Sequence, residues 1–203
     1  MSSRALRRLV LLLGFFFSLP AFAVSDPLAL VRDTSNRVLL EILNRKDELT
    51  ESPGKIYRLI DDILIPRFDF YRMSRLVLGK YWRRAADYQQ AAFVREFREL
   101  LVRTYASALL NYSGQEIKYL PLRLVPGATR VVVNTEVREG RGTPAIPIKY
   151  SLYLAEDDWM VYDVTIDGVS LVSNYRSSFA AQVRRYRIDG LIKKLTERNR
   201  RGR

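Results

Sequence analysis

The sequence has no cysteine and no histidine among its 203 residues. Without cysteine, no disulfide can staple the fold and no thiol can carry a lipid anchor, so the hydrophobic core must hold the structure unaided. Without histidine, the chain lacks the commonest general base and the commonest metal ligand, which excludes Ser-His-Asp, Cys-His and His-zinc sites. Any catalysis would have to rest on carboxylates, Tyr, Lys or Ser, and we expect no cofactor.

The first 23 residues have the three-part pattern of a secretory signal peptide. Three arginines, a short apolar run and a small-x-small cleavage signal follow one another: Arg4, Arg7 and Arg8, then Leu9 to Leu19, then Ala21-Phe22-Ala23. The apolar run is shorter than the ~20 residues of a membrane-spanning helix. We predict cleavage between Ala23 and Val24 and a soluble exported protein. An uncleaved N-terminal anchor is the alternative.

Negative charge is in the minority. The chain has 34 Lys and Arg residues and 22 Asp and Glu residues, which give a net charge of +12. Loss of the three leader arginines lowers this value to +9. In an exported protein such a balance favours the anionic surface of a membrane or an acidic protein partner over nucleic acid, for which the chain has no recognition motif. A solvated basic surface without a specific role is the alternative reading.

No internal repeat or low-complexity linker divides residues 24–203, so we predict one domain. Its first part shows helical periodicity. Two helices are expected to start at Asp26-Pro27 and at Ser52-Pro53. A short third helix should end at Gly79, and a long fourth helix should begin with a capping box from Asp87 to Gln90. Two further helices, capped by Asn174 and Asp189, should close the chain.

Beyond Gly114 the period of the apolar residues changes from helical to alternating. Four strands are expected: Ile117 to Val125, which Pro121 weakens, then Arg130 to Arg138, a third around Ile148 to Leu154, and Trp159 to Ile166. The short connections between them imply an antiparallel meander. The predicted fold class is α+β, with helices packed on a bent antiparallel sheet of about four strands.

Four blocks resemble the MlaC family of periplasmic phospholipid-binding proteins and occur in the same order. The blocks are LIPRFDFYRMSRLVLG from Leu64, LGKYWRRAADYQQAAFVREFRELLVRTYASALLNYSGQ from Leu78, WMVYDVTIDGVSLVSNYR from Trp159 and IDGLI from Ile188. The resemblance implies an NTF2-like fold that encloses an apolar cavity for acyl chains. It also implies a periplasmic shuttle, expected to be monomeric, between an outer-membrane lipoprotein and porin complex and an inner-membrane ABC transporter with a lipid-transfer domain. It implies no enzyme activity.

A cavity for acyl chains leaves no short motif, so its wall must be sought among apolar residues on elements that face one another. The candidates on the long helix and the strands are Phe93, Phe97, Leu101, Tyr105, Val131, Val133, Ile148, Tyr150, Leu152 and Val164. Val161 and Val164 point to opposite faces of their predicted strand, so we expect at most one of them in the cavity. Arg176 is a candidate for a lipid phosphate at the cavity mouth. Ordinary core positions and, for Arg176, a surface position are the alternatives.

Two other functions remain open at this point. Asp163, next to Tyr162 within a strand, would suit an NTF2-like cavity enzyme that uses a buried carboxylate as its base. The alternative for Asp163 is a structural acid or a helix cap. An adaptor protein that presents a basic surface and holds no lipid would instead have an empty, water-filled or fully packed interior.

Overall fold

The computed structural model describes residues 26–140, 142–156 and 158–201, so the predicted signal peptide lies outside the described part of the chain. Within that part, six helices and five strands form an α+β fold. The helices are α1 (Pro27–Asn44), α2 (Lys46–Glu51), α3 (Pro53–Ile63), α4 (Phe70–Leu78), α5 (Asp87–Leu110) and α6 (Leu171–Arg201). The strands are β1 (Glu116–Tyr119), β2 (Arg130–Arg138), β3 (Ile146–Ala155), β4 (Asp158–Ile166) and β5 (Val169–Ser170).

The first helices begin where their capping residues predict. The Asp26 carboxylate accepts a hydrogen bond from the backbone N–H of Leu28 at 2.9 Å, and Pro27 occupies the first turn of α1. The helix starting at Pro53 is confirmed as α3. Between them lies α2, which was not predicted because Leu49 is its only apolar residue.

The long helix α5 has its N-terminal cap one residue earlier than expected. The side chain of Gln89, not Gln90, accepts a hydrogen bond from the backbone N–H of Ala86 at 3.0 Å. Gln90 instead donates to the carbonyl of Trp82 at 3.0 Å. That bond ties the start of α5 to the short 3₁₀ helix Gly79–Arg84, which follows α4.

The sheet is an antiparallel meander with the strand order β1-β2-β3-β4-β5. It has five strands rather than about four, because a two-residue β5 pairs with the end of β4. The first strand is only four residues long and ends before Pro121, which cannot donate to the ladder. Beside β4, Phe68 forms a parallel bridge with Val161, so the segment before α4 covers part of this edge.

The last helix starts earlier than predicted and is interrupted once. The Asp163 carboxylate, not Asn174, caps it by accepting from the backbone N–H of Val172 at 3.0 Å and from the hydroxyl of Ser170 at 2.6 Å. Arg187 breaks α6 with φ 60° and ψ −179°. The prediction of two closing helices is therefore confirmed as two helical halves with a kink between them.

Buried side chains form three clusters. One joins α4, the N-terminal half of α5 and α6, with Phe93, Phe97 and Leu191 at its centre. A second joins α1, α2, α3 and the C-terminal half of α5. The third lies between the inner face of the sheet and α1 and includes Val133, Leu152 and Trp159. The space where these clusters meet is the site described next.

Candidate functional site

A cavity of about 590 Å³ lies between the inner face of the sheet and helices α1, α3 and α5. Most of its wall is apolar. The side chains that give it this character come from α1 (Leu30, Val31, Val38, Leu39), α3 and the turn after it (Ile60, Leu64, Ile65, Phe68), α4 (Phe70, Met73), α5 (Leu101, Val102, Tyr105, Ala108, Leu109) and the sheet (Ile117, Val137, Ile146, Ile148, Tyr150, Val161, Val164, Ile166). Such a wall suits a hydrocarbon ligand rather than a charged one.

The inner face of the sheet is divided between cavity and packed core. Its hollow half, which borders the cavity, consists of Ile117, Val137, Ile146, Ile148, Tyr150, Val161, Val164 and Ile166. Its packed half consists of Val131, Val133, Leu152, Leu154 and Trp159, which belong to the same hydrophobic cluster as Val31 and Leu171. Both halves follow the same alternation, because Tyr150 and Leu152 are two residues apart on β3.

A β-bulge in β4 changes which residues face the cavity. Ser151 pairs with Asp163 while Leu152 pairs with Val161, so β4 carries one extra residue at Tyr162. The bulge puts Val161 and Val164 on the same face, and both border the cavity. The expectation that at most one of them would do so is wrong, since it assumed an uninterrupted period of two.

Helix α5 is divided in the same way as the sheet. Its N-terminal half is packed core, where Phe93 and Phe97 stack at 5.6 Å between ring centroids and both meet Phe179 edge-on. Its C-terminal half turns Leu101, Tyr105 and other side chains into the cavity. The continuous apolar stripe of α5 thus forms packed core in its first half and cavity wall in its second half.

The candidate residues from the sequence therefore fall into two groups. Leu101, Tyr105, Ile148, Tyr150 and Val164 border the cavity. Phe93, Phe97, Val131, Val133 and Leu152 lie in the packed clusters and do not border it.

Arg176 is also away from the cavity. It is exposed on α6, and its guanidinium lies against Gly79, where an added Cβ would be 3.0 Å from Nη2. This close approach, together with the positive φ of 53°, favours glycine at position 79.

A small polar group interrupts the apolar wall at Tyr150. Burial raises the pKa of Tyr150 to about 12, and nearby Tyr119 adds to the rise while hydrogen bonds with Thr135 and Ser35 oppose it. Burial also raises the pKa of Tyr105 on the facing helix. Both phenols are therefore neutral at physiological pH, so they offer hydrogen bonds without placing a charge beside a hydrocarbon chain.

The mouth of the cavity is marked by lining residues that are also exposed to solvent. These are Ala108 and Asn111 at the end of α5, Glu139 after β2 and Ile146 at the start of β3. Arg67 also borders the cavity, and its guanidinium pairs with the carboxylate of Asp158 at 2.8 Å. A ligand with one polar end can thus keep that end in water at this mouth.

The α1 wall was not among the candidates derived from the sequence. Leu30, Val31, Val38 and Leu39 all border the cavity. A signal for this role exists, because Thr34 and Ser35 interrupt the apolar stripe of α1 and also border the cavity. Because hydroxyl groups are uncommon in a packed core, their presence on this face of α1 indicates that the face borders a space rather than packed side chains.

The acid considered for catalysis has a structural contact for each of its carboxylate oxygens. One Asp163 oxygen accepts from Val172 and the other from Ser170, as described above. Asp163 is absent from the cavity wall. These contacts account for Asp163 as the cap of α6.

The fold and the cavity define a class: an α+β protein with an apolar ligand cavity between a meander sheet and its helices. In the part of the chain that the structure describes, we find no helix with the length and apolar character needed to cross a membrane. Comparison with known proteins identifies the family within this class. The chain belongs to the MlaC family, whose model matches residues 32–197.

Two curated relatives and one solved structure are similar over most of the chain. The toluene tolerance protein ttg2D of Pseudomonas putida is 29% identical over 181 residues, which cover 89% of this chain and 83% of the relative. The intermembrane phospholipid transport system binding protein MlaC of Haemophilus influenzae is 23% identical over 188 residues, which cover 92% of this chain and 88% of the relative. A phospholipid-binding protein from Ralstonia solanacearum, solved in complex with a phospholipid, is 32% identical with a TM-score of 0.80, covering 88% of this chain and 99% of that one.

Proposed function

We propose that this protein is a periplasmic phospholipid carrier that holds acyl chains in the cavity and leaves the head group at its mouth. The observation that carries the proposal is the cavity of about 590 Å³ with its apolar wall. Its size is in the range of roughly 300–1,000 Å³ that is usual for ligand sites. The phospholipid complex of the similar Ralstonia solanacearum protein supports the choice of ligand.

The energetics of transfer explain why such a cavity is needed. A diacyl phospholipid buries about thirty methylene groups, and at ~0.8 kcal/mol each their exposure to water would cost on the order of 24 kcal/mol. A carrier must shield most of this surface, but it must not hold the chains much more tightly than a bilayer does. An apolar wall with few polar groups, such as the phenols of Tyr105 and Tyr150, meets both requirements.

The proposed route follows from the family. Family membership and the name of the Haemophilus influenzae relative support a role in intermembrane phospholipid transport. We propose that the carrier moves between an outer-membrane lipoprotein and porin complex and an inner-membrane ABC transporter with a lipid-transfer domain. In this route the protein acts as a carrier and performs no reaction on its cargo.

Native mass spectrometry of the exported protein, purified without detergent, tests lipid binding directly. We expect a mass excess equal to a phospholipid, and organic extraction of the complex should release that lipid and identify its head group. Protein that is folded but reproducibly empty would contradict the proposal and favour an adaptor that holds no lipid.

Substitution at the mouth tests whether the cavity is the site that is loaded. Ala108 borders the cavity and is exposed, so the Ala108→Trp side chain can block the mouth without overpacking the core. We expect the loaded fraction to fall below about half of the wild-type value, because an indole covers on the order of 200 Å² of the wall.

Ala91→Trp is the matched control, since Ala91 is exposed on the same helix and does not border the cavity. Full loading of the Ala108→Trp protein, or equal losses in both variants, would show that lipid binds elsewhere. Circular dichroism of both variants would show that neither loss comes from unfolding.

A further inference from the structure

Positive charge is concentrated at the C-terminal end of α6. Residues 184–201 contain eight basic residues and two acidic ones, so these 18 residues carry +6 of the +12 of the whole chain. All eight basic side chains are exposed: Arg184, Arg185, Arg187, Lys193, Lys194, Arg198, Arg200 and Arg201. The helix presents its buried residues, among them Leu191 and Leu195, to the core and its cations to solvent.

These cations are not neutralised within the molecule. Across the described ranges of the chain, no ion pair at 4.0 Å or less has a member in α6. Of the two acids in the segment, Asp189 accepts a hydrogen bond from Gln89 at 2.7 Å. The cations of α6 are therefore free to attract a partner of opposite charge.

The segment is held firmly to the rest of the fold. The buried side chain of Asn199 donates to both the backbone carbonyl and the carboxylate of Glu96 on α5, each at 3.0 Å. Leu191 and Leu195 pack in the same cluster as Trp82. The C-terminal half of α6 is thus a rigid surface and not a loose basic tail.

The 3₁₀ helix Gly79–Arg84 adds further cations to those of α6, and Tyr186 adds an exposed aromatic side chain. Exposed Lys80, Arg83 and Arg84 belong to the 3₁₀ helix Gly79–Arg84, whose Trp82 packs against α6. On α6 itself, Lys194 Nζ lies 3.5 Å from the ring centroid of Tyr186, which is 38% exposed. Tyrosines and snorkelling cations are the side chains favoured at membrane–water interfaces.

The opposite sign prevails in the N-terminal helices. Residues 26–62, which include α1, α2 and most of α3, contain six basic and eight acidic residues and carry a net charge of −2. An anionic surface therefore attracts residues 184–201 more strongly than it attracts the N-terminal helices.

We propose that the basic surface formed by α6 residues 184–201 and the 3₁₀ helix Gly79–Arg84 docks on the anionic phospholipid surface of a bilayer. The 14 helical residues after the kink at Arg187 extend over about 21 Å, and Arg184 and Arg185 lie before the kink, so the cations are spread widely rather than gathered around a pocket for single carboxylates. A diffuse array matches the diffuse charge of a membrane better than the discrete acids of one protein partner. This docking goes beyond the proposed cargo binding and does not require lipid in the cavity.

Co-sedimentation with vesicles tests the proposal. The exported protein should bind vesicles of phosphatidylglycerol and phosphatidylethanolamine at low salt and should bind neutral phosphatidylcholine vesicles much less. Each cation near such a surface contributes about a fivefold increase in affinity, so replacing Arg184, Lys193 and Arg198 with Gln should weaken binding more than about tenfold. Salt should weaken wild-type binding, because it screens exposed charges.

A triple variant of equal charge provides the control. Arg37, Arg58 and Arg123 are exposed and distant in sequence from the basic surface, and Arg37→Gln, Arg58→Gln and Arg123→Gln remove the same net charge. We expect this control to lose less than about threefold, and both variants to keep their lipid load. Equal losses in the two variants, equal binding to anionic and neutral vesicles, or insensitivity to salt would each overturn the proposal. Absence of cargo with intact vesicle binding would instead contradict only the carrier function.

Discussion

At the scale of single residues, Tyr150 and Leu152 demonstrate what alternation can and cannot predict. Their shared inward face follows from the period of two in β3, and the structure confirms it. Their different surroundings do not follow from it, since Leu152 is fully buried while Tyr150 borders the cavity. The difference arises from helices that are distant in sequence, which no local pattern encodes.

Tyr150 gives a prediction at the same scale. Its folded-state pKa of about 12 lies above the ordinary value of 10.0, so the protonated phenol contributes stability that is complete below about pH 10. We expect this contribution, on the order of 2 to 3 kcal/mol, to be lost as pH rises through about 12. Tyr150→Phe should flatten the decline of unfolding free energy in this window, as measured by urea titration at several alkaline pH values.

Tyr88→Phe is the control for that experiment, because Tyr88 is 69% exposed on α5. It should leave the alkaline decline of stability unchanged. An identical decline in wild type and Tyr150→Phe would show that the phenol of Tyr150 is not buried in the way described.

At the scale of elements, a proline in the first turn predicts where a helix starts better than the apolar pattern predicts how far an element extends. Proline in the first turn predicts α1 and α3, whereas α2 has too few apolar residues to be seen and β1 is shortened by Pro121. The bulge at Tyr162 was invisible to a strict period of two. In each case the missing information lies in tertiary packing or in the pairing of a neighbouring strand.

The kink in α6 gives a prediction at the element scale. Arg187 has φ 60° and ψ −179°, a backbone conformation that glycine adopts readily and other residues adopt at a cost of roughly 1–3 kcal/mol. Arg187→Gly should therefore raise the free energy of unfolding by about 1 kcal/mol, after allowance for the greater freedom of glycine in the unfolded chain. Urea denaturation measures the change.

Arg185→Gly is the matched control, because it removes an exposed cation two residues away but within regular helix. It should lower the free energy of unfolding by about 1 kcal/mol. Destabilisation of similar size in both variants would contradict the assignment of strain to Arg187.

At the scale of the whole molecule, the order and type of the elements were predictable, and the cavity was not. A strand–strand–strand run between groups of amphipathic helices is sufficient to predict an α+β fold. A void, in contrast, depends on how closely α1 and α5 approach the sheet. Sequence resemblance supplied the expectation of a cavity, and residue pattern alone could not have located it among the three clusters.

Removal of the proposed cargo gives a prediction for the whole molecule. A ligand that binds only the folded state stabilises it by mass action, so delipidated protein should melt at a lower temperature than loaded protein. Hydrogen exchange should rise in α1 and in the hollow half of the sheet, and should stay constant around Phe93 and Phe179. Uniform acceleration over all three clusters would contradict a local role for the ligand.

The division of the inner sheet face also bears on how this protein can change over evolutionary time. Val133, Leu152 and Trp159 fix the strands to α1 without touching the cavity, so they tolerate few substitutions. Side chains of the hollow half, such as Ile148 and Ile166, have open space on one side and can vary in size at little cost. Selection can therefore refit the chamber to longer or shorter acyl chains while the scaffold that folds it stays the same.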